Sequence, residues 1–314
     1  MNKILLLGGT GFVGQQICEQ LTRAGLGVTV PTRRAIKARA VQTLPGVDVI
    51  EADVHDEAAL ARLLPGHAAV VNLIGVLHGS EQRFRAAHVE LPRRLARAMQ
   101  AAGVRRLLHV SALGASADGP SRYQRSKAEG EAVLRESGLD LTLLRPSVIF
   151  GAGDNFFNLF ARLQASVPIL LLPGAGAKLQ PVWVGDVARA VLRCMQDPAT
   201  VGQTYELAGP QVCTLGALVR IAGRLSGHPR PVFGLPLALG YPQALLLQCL
   251  PGEPLMSADN LDSLKVDNVA SGALPGLAEL GITPEAIEPI VASYLDLPGR
   301  ADPRLALRQR HPGG

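Results

Sequence analysis

Tyr123 and Lys127 stand four residues apart, and Ser111 lies twelve residues before the tyrosine. On a helix, the i, i+4 spacing sets phenol and ammonium on one face. A neighbouring ammonium favours phenolate and draws a phenol pKa from about 10 towards neutrality. Tyr123 is therefore expected to exchange a proton with a substrate oxygen that Ser111 holds, while Lys127 also reaches a cofactor ribose. The alternative for the pair is an inert surface contact. Only four tyrosines occur in 314 residues, so such a pair just behind a strand ending in serine is seldom a coincidence.

A second constellation opens the chain. Lys3 to Leu7 is a short apolar run that breaks into glycines at Gly8, Gly11 and Gly14, and Val13, Ile17 and Leu21 then recur four apart. That is a buried parallel strand, a tight turn and an amphipathic helix. The first N–H groups of a helix lack partners and lie at the positive end of its dipole, which suits a pyrophosphate. Glycine lets the phosphate and the strand approach the backbone closely. Gly8, Thr10, Gly11, Phe12, Val13 and Gly14 are accordingly assigned to a dinucleotide.

The end of the second strand selects among dinucleotides. An NAD site places an acid there for the ribose hydroxyls. This chain has Thr32-Arg33-Arg34 and no acid until Asp48. Guanidinium groups at Arg33 and Arg34 suit a 2′-phosphate, so NADP(H) is the expected cofactor, with NAD(H) as the alternative. Asp53 and Val54 are placed beside the adenine, and Leu73 and Gly75 on the ribose side. His88 and the arginines at Arg93, Arg94 and Arg97 read as a solvated helix face, and His109 as a satisfied core residue.

These residues need a frame. Strands are predicted at Val28–Val30, Val47–Ile50, Ala69–Gly75, Arg106–Ser111 and Leu139–Leu144. Helices are expected over Glu57–Leu63, over Gln82–Ala102 and from Tyr123 towards Gly138. The alternation gives an α/β fold, a doubly wound parallel sheet of Rossmann type with a smaller C-terminal substrate lobe. Residues 1–150 form the predicted nucleotide-binding domain, with 179–208 returning to it through late strands at Gln180–Val184 and Thr204–Leu207. Residues 151–300 form the smaller substrate or partner lobe, and 301–314 a disordered basic tail. Leu235 to Leu250 is very apolar but too short for a bilayer span; it reads as a buried lobe helix or as a contact with a membrane or partner.

Composition excludes several classes. The net charge of +5 is concentrated around Arg33, Arg34, Lys37 and Arg39 and in the tail, and aromatics make up 4%, so no nucleic-acid footprint is present. Cys18, Cys194, Cys213 and Cys249 form no CxxC pair and the histidines no ligand spacing, which predicts neither disulfide nor metal. The start, Met1 to Leu7, is too short in apolar residues for a signal peptide. A cytoplasmic protein is expected, with a peripheral position at the inner membrane face as a further option.

Taken in order, these motifs resemble the short-chain dehydrogenase/reductase superfamily in its extended and atypical branches. The glycine pattern, Ser111, the Tyr123/Lys127 pair and the run Arg145-Pro146-Ser147-Val148-Ile149-Phe150-Gly151 all match, and Pro146 and Val148 of that run are assigned to the cofactor. The chain is more closely similar to the NADPH-binding accessory subunit family of respiratory complex I and its bacterial relatives. That rests on Gly103 to Ala115, Ser121 to Glu131, and Leu264-Lys265-Val266-Asp267-Asn268-Val269. The resemblance implies bound NADPH, with Gly8, Gly11 and Gly14 on the pyrophosphate, Arg33 on the 2′-phosphate and Lys127 on the ribose. Two positions depart from the extended pattern. Leu7 replaces a threonine, and Ala87-His88-Val89-Glu90 replaces a stretch with asparagine. The second change suits the accessory-subunit branch, where the nucleotide serves structure or sensing. Three functions follow: an NADPH-dependent oxidoreductase or epimerase/dehydratase on an unknown carbonyl or hydroxyl substrate, a nucleotide-loaded accessory or assembly protein of a respiratory membrane complex, and an NADPH redox sensor.

Overall fold

Ile4 to Leu7 are at most 1% exposed, because the strand they build, β1 (Lys3–Leu7), is covered on both faces. A parallel strand so placed keeps an unbroken apolar run instead of alternating. The computed structural model describes residues 3–248 and 256–295; Cys249, Leu250 and the basic tail lie outside them. Six strands join β1: β2 (Gly27–Thr32), β3 (Val47–Glu51), β4 (His67–Asn72), β5 (Arg106–Val110), β6 (Asp140–Pro146) and β7 (Thr204–Leu207). Every pairing is parallel, in the order β7-β6-β5-β4-β1-β2-β3. The order reverses between β1 and β4, so the loops leaving their C-terminal ends diverge and open a cleft. This is the doubly wound parallel sheet that the sequence predicts.

Helices cover both faces. Up to Phe150 the longer ones are α1 (Phe12–Arg23), α2 (Glu57–Leu63), α3 (Glu81–Arg85, Ala86–Glu90 and Leu91–Ala101) and α4 (Arg122–Arg135). Beyond Phe150 come α5 (Phe157–Ser166), α6 (Val184–Gln196), α7 (Leu215–Leu225), α8 (Leu237–Gln248), α9 (Ala258–Ser263) and α10 (Ile287–Tyr294). Ile17 and Leu21 of α1 and Val187 and Val191 of α6 pack on Ile4 and Leu6. Leu60 of α2, Leu95 and Met99 of α3, and Leu134 of α4 pack on Leu5 and Leu7 from the other side. A third core joins Phe157, Leu218, Val219, Ile287 and Val291 of α5, α7 and α10.

Two expectations change. Thr204–Leu207 does add to the sheet edge, but Gln180–Val184 does not: Val182–Trp183 pairs with Ile149–Phe150 in a separate two-stranded ladder. Pro181 has no N–H to offer a longer ladder, and α6 begins at Val184. The helix expected over Gln82–Ala102 is also interrupted, since Ala86–Glu90 winds as a π-helix in which Leu91 N bonds back to Ala86 O. Pro92 has no N–H for the carbonyl four residues earlier, that of His88. Gly130 of α4 lies against this same carbonyl, where a Cβ would come within 1.9 Å of His88 O.

α4 is fixed to the sheet by a buried ion pair. Arg145 of β6 grips Glu131 with Nε at 2.8 Å and Nη2 at 2.6 Å, and Arg135 approaches the same carboxylate at 3.4 Å. Bidentate geometry offsets the desolvation of the carboxylate. Replacing Glu131 by Ala strands Arg145 in partial burial, and a loss of about 3–5 kcal/mol is expected in urea unfolding. A change within the scatter of surface substitutions would refute this role for the pair.

Candidate functional site

The cleft at the strand ends begins with the first turn. Gly8 has φ +86°, a conformation open to glycine, and Gly11 N donates to Gly8 O at 3.1 Å. A Cβ on Gly14 would lie 2.3 Å from Gly8 O, so only glycine lets α1 start this close to β1. The helix has no side-chain cap and no acid in its first turn, leaving its leading N–H groups and dipole for an anion. Thr10 O accepts from Gln15 Nε2 at 3.1 Å, which steadies the turn. Phe12 and Val13 are half-buried at the helix start. Gly9 was not singled out by its sequence position, yet a Cβ there would meet Val30 Cγ2 at 2.8 Å; the doubled glycine was the available signal.

Along the rim, Arg33 and Arg34 follow β2 and are exposed, and neither has a carboxylate partner among the described residues. Asp53 is exposed after β3, with Oδ1 accepting from His55 N at 3.0 Å, while Val54 is buried beneath it. β4 ends at Asn72, short of the expected Gly75, because Asn72 Oδ1 accepts from Ile74 N at 3.1 Å and turns the chain. Leu73 and Gly75 consequently sit in the cleft loop, Leu73 against Gly8 and Gly75 against Lys127. Pro146 closes β6, and Val148 is half-buried just beyond it.

Lys127 is the centre of the cluster. Its Nζ donates to Val110 O at 3.2 Å, next to Ser111, and lies 6.0 Å from the Tyr123 ring centroid. Burial pulls its ammonium down to about 8, with Glu131 opposing. Tyr123 differs from expectation. Burial pushes its phenol up to about 12. The phenol is thus held as an acid. Ser111 is 3% exposed, its N–H bonds Leu144 O at 2.7 Å, and its Oγ has no hydrogen-bond partner among the described residues. An orphaned buried hydroxyl is costly unless something completes it.

Three residues that sequence reasoning did not place in the site organise it. His88, expected on a solvated face, is buried beneath Tyr123 with ring centroids 5.6 Å apart. Its Nε2 accepts from Val76 N at 3.0 Å, so Nδ1 carries the proton and donates to Ser126 Oγ at 2.8 Å. Ser126 passes the chain on to Tyr123 O at 2.9 Å. Burial and the Lys127 charge hold His88 down to about 2, so it stays neutral. The departure of Ala87-His88-Val89-Glu90 from the extended pattern, which carries asparagine there, was the signal. Asp259 of α9 accepts the N–H groups of Arg122 and Tyr123 at 2.8 and 3.1 Å, and so caps α4 from far along the chain. Asn268 accepts from Ser147 Oγ at 2.6 Å and donates to Leu113 O at 3.1 Å, which joins the loops after β5 and β6. The motif around Asn268 thus has a structural task. His109 is the satisfied core residue expected, with Nδ1 accepting from Asn72 Nδ2 at 3.1 Å. The flanking arginines are structural: Arg93 pairs with Glu90 at 2.7 Å and Arg94 reaches His55 O at 2.9 Å.

The uncapped helix start, the glycine cradle and the open Ser111 hydroxyl fit a nicotinamide dinucleotide, and with the sheet they define an NAD(P)H-binding protein of short-chain dehydrogenase/reductase type. Residues 8–198 match a family model described as NAD(P)H-binding. The chain is 32% identical over 292 residues to the mouse (Mus musculus) NADH dehydrogenase [ubiquinone] 1 alpha subcomplex subunit 9, mitochondrial, spanning 90% of this chain and 77% of that protein. It is 25% identical over 226 residues to the NAD(P)H azoreductase of Xenophilus azovorans, at 72% and 74% coverage. The Thermus thermophilus UDP-glucose 4-epimerase, solved with NAD, shares the fold with a TM-score of 0.69 at 21% identity, over 95% of this chain and 100% of that one. The chain therefore belongs to the NAD(P)H-binding short-chain dehydrogenase/reductase family that includes the complex I subunit 9 proteins.

The Lys127 shift has a direct readout. With the folded pKa at about 8 and the unfolded one at about 10.4, the unfolded chain binds the extra proton between these values, so this residue's contribution to stability rises with pH across that window. In ¹³C-lysine NMR, one of the five lysine resonances should titrate near 8 and vanish in Lys127→Met. Titration of that resonance at the free value would show the ammonium to be solvated.

Proposed function

We propose that the protein holds NADP(H) in preference to NAD(H) and uses Ser111, Tyr123 and Lys127 to reduce a small carbonyl compound or to run the same step in reverse. Arg33 and Arg34 would receive the 2′-phosphate, Gly8, Gly11 and Gly14 the pyrophosphate, and Lys127 the ribose. When bound, the nicotinamide supplies or accepts the hydride. Ser111 Oγ holds the substrate oxygen through the hydrogen bond it lacks within the protein. Tyr123 gives that oxygen its proton, a role suited to a phenol held protonated at neutral pH. The Lys127 ammonium then stabilises the phenolate left behind. His88 positions Tyr123 and the Val76 loop without titrating. The observation carrying the reading is the buried, unpartnered Ser111 hydroxyl beside the Tyr123 and Lys127 helix.

A second reading is supported by the match with the mouse complex I subunit over 90% of the chain. In it, the nucleotide-loaded protein serves as an accessory or assembly partner of a respiratory membrane complex, on the cytoplasmic face of an inner membrane, with the nucleotide structural or redox-sensing.

Two experiments separate these claims. Arg33→Ala is expected to lose about 1–3 kcal/mol of preference for NADPH over NADH in calorimetric titrations. Equal affinities in the unmutated protein would remove the 2′-phosphate assignment. Tyr123→Phe is expected to abolish NADPH oxidation in a carbonyl screen while leaving NADPH affinity intact. Normal turnover by that variant would end the proton-donor role. Absence of any substrate, together with co-purification of a respiratory complex, would favour the second reading.

A further inference from the structure

Outward-facing apolar side chains gather on elements that neither nucleotide nor proton transfer uses. Strand Leu170–Pro173 pairs in parallel with Val232–Leu235, which sets Leu171 opposite Phe233. Leu170 and Leu172 are buried, whereas Leu171 and Phe233 are 52% and 55% exposed. Ile169, two residues before Leu171, shares its outward face and its exposure. α8 inverts the pattern of an ordinary surface helix. Its covered side is Gly240, against Pro173, with Ala244 and with Tyr241, whose hydroxyl bonds Asp262 of α9 at 2.6 Å. Ala238, Leu239, Pro242 and Leu245 recur three and four apart on the open side, and Leu245 is 67% exposed. Of the two expectations for this segment, a buried helix or a membrane or partner contact, burial therefore holds for only one side of its described part. A set of this kind marks an interaction face.

Charge selects the occupant. No Asp or Glu occurs from Asn155 to Gly185 or from Leu207 to Gln248, the segments that build both strands, α5, α7 and α8. The same segments carry Arg162, Lys178, Arg220, Arg224 and Arg230. Arg224 pairs with Glu288 at 2.9 Å and Lys178 with Asp267 at 3.9 Å. Among the described residues, Arg162, Arg220 and Arg230 have no carboxylate partner. Arg230 is rooted beside the apolar strands, since its Nε donates to Gln164 O at 3.1 Å and its neighbour Pro231 accepts from Leu170 N at 3.0 Å. Among the described residues, the carboxylate bonded to α8 is that of Asp262, which lies on its covered side and is held by Tyr241 and Lys265. Apolar side chains with Arg230 beside them, on segments that carry arginines and no acids, match a negatively charged lipid surface, where the apolar groups enter the acyl boundary and the arginines meet the phosphates.

We propose that Ile169, Leu171, Phe233 and the outer face of α8 seat this protein on an anionic bilayer. The contact is peripheral, since among the described residues no helix is long and apolar enough to cross a membrane. The inference stands on this face alone, apart from the nucleotide and the reaction at Tyr123.

Full-length protein sedimented with vesicles of phosphatidylcholine alone, and of phosphatidylcholine and phosphatidylglycerol in a two-to-one ratio, provides the test. Binding to the mixed vesicles should be about tenfold tighter or more, and should weaken in high salt. Two double variants should each lose it: Phe233→Ser with Leu239→Ser, and Arg162→Glu with Arg230→Glu. NADPH titration of the same samples reports folding independently, and the charge variant alone suffices if the apolar one does not fold. Equal binding to both vesicles, or undiminished binding by a folded variant, overturns the proposal. So does a protein that ignores vesicles but self-associates through Phe233 and Leu239, which would assign the face to a second copy.

Discussion

The molecule is organised around one close approach, that of Gly14 to the carbonyl of Gly8. The helix can begin within contact distance of the first strand because the fourteenth residue has no side chain. This geometry leaves the leading amides of α1 pointing out of the sheet, uncapped, at the reversal in strand order. The rest of the cleft is laid out from that point: Leu73 rests on Gly8, Gly75 follows, and Lys127 closes against Gly75 from α4. A methyl group at position 14 would push the helix away from Gly8 and Gly9.

Electrostatics in the cleft follow from burial more than from pairing. Lys127, His88 and His109 are three basic groups in a confined space, and only one is arranged to carry charge. Each histidine has a ring nitrogen occupied as an acceptor, by Val76 N in one case and Asn72 Nδ2 in the other. Both are held neutral by desolvation and by the lysine. The cation is thereby reserved for the one group that sits against Gly75 and Val110 O, and the tyrosine above it retains its proton.

Features set by local spacing were legible in the sequence. The run Lys3 to Leu7, the glycines and the four-residue step from Tyr123 to Lys127 are each decided by neighbours along the chain, and the parallel sheet followed from their alternation. Features set by contacts across the chain were not. The π-helical turn lies just before Pro92 and against the distant Gly130. The tyrosine's high pKa is a consequence of burial, which no spacing reveals. Val182–Trp183 carries an apolar strand pattern, yet it pairs with Ile149–Phe150 away from the main sheet. His88 looked solvated because a run of arginines follows it in the sequence; the helix turns it inward.

Asp259 lies 136 residues beyond the tyrosine whose amide it holds. Chains fold broadly from the N-terminus as they are synthesised. The strands and the glycine turn can assemble early, with every component already outside the ribosome. The start of α4 keeps open amides until the stretch around Ser257 emerges, and the loops after β5 and β6 stay unjoined until Asn268 follows. The glycine turn is thus complete within the first stretch of chain, whereas the start of α4 is completed only by α9, late in the chain.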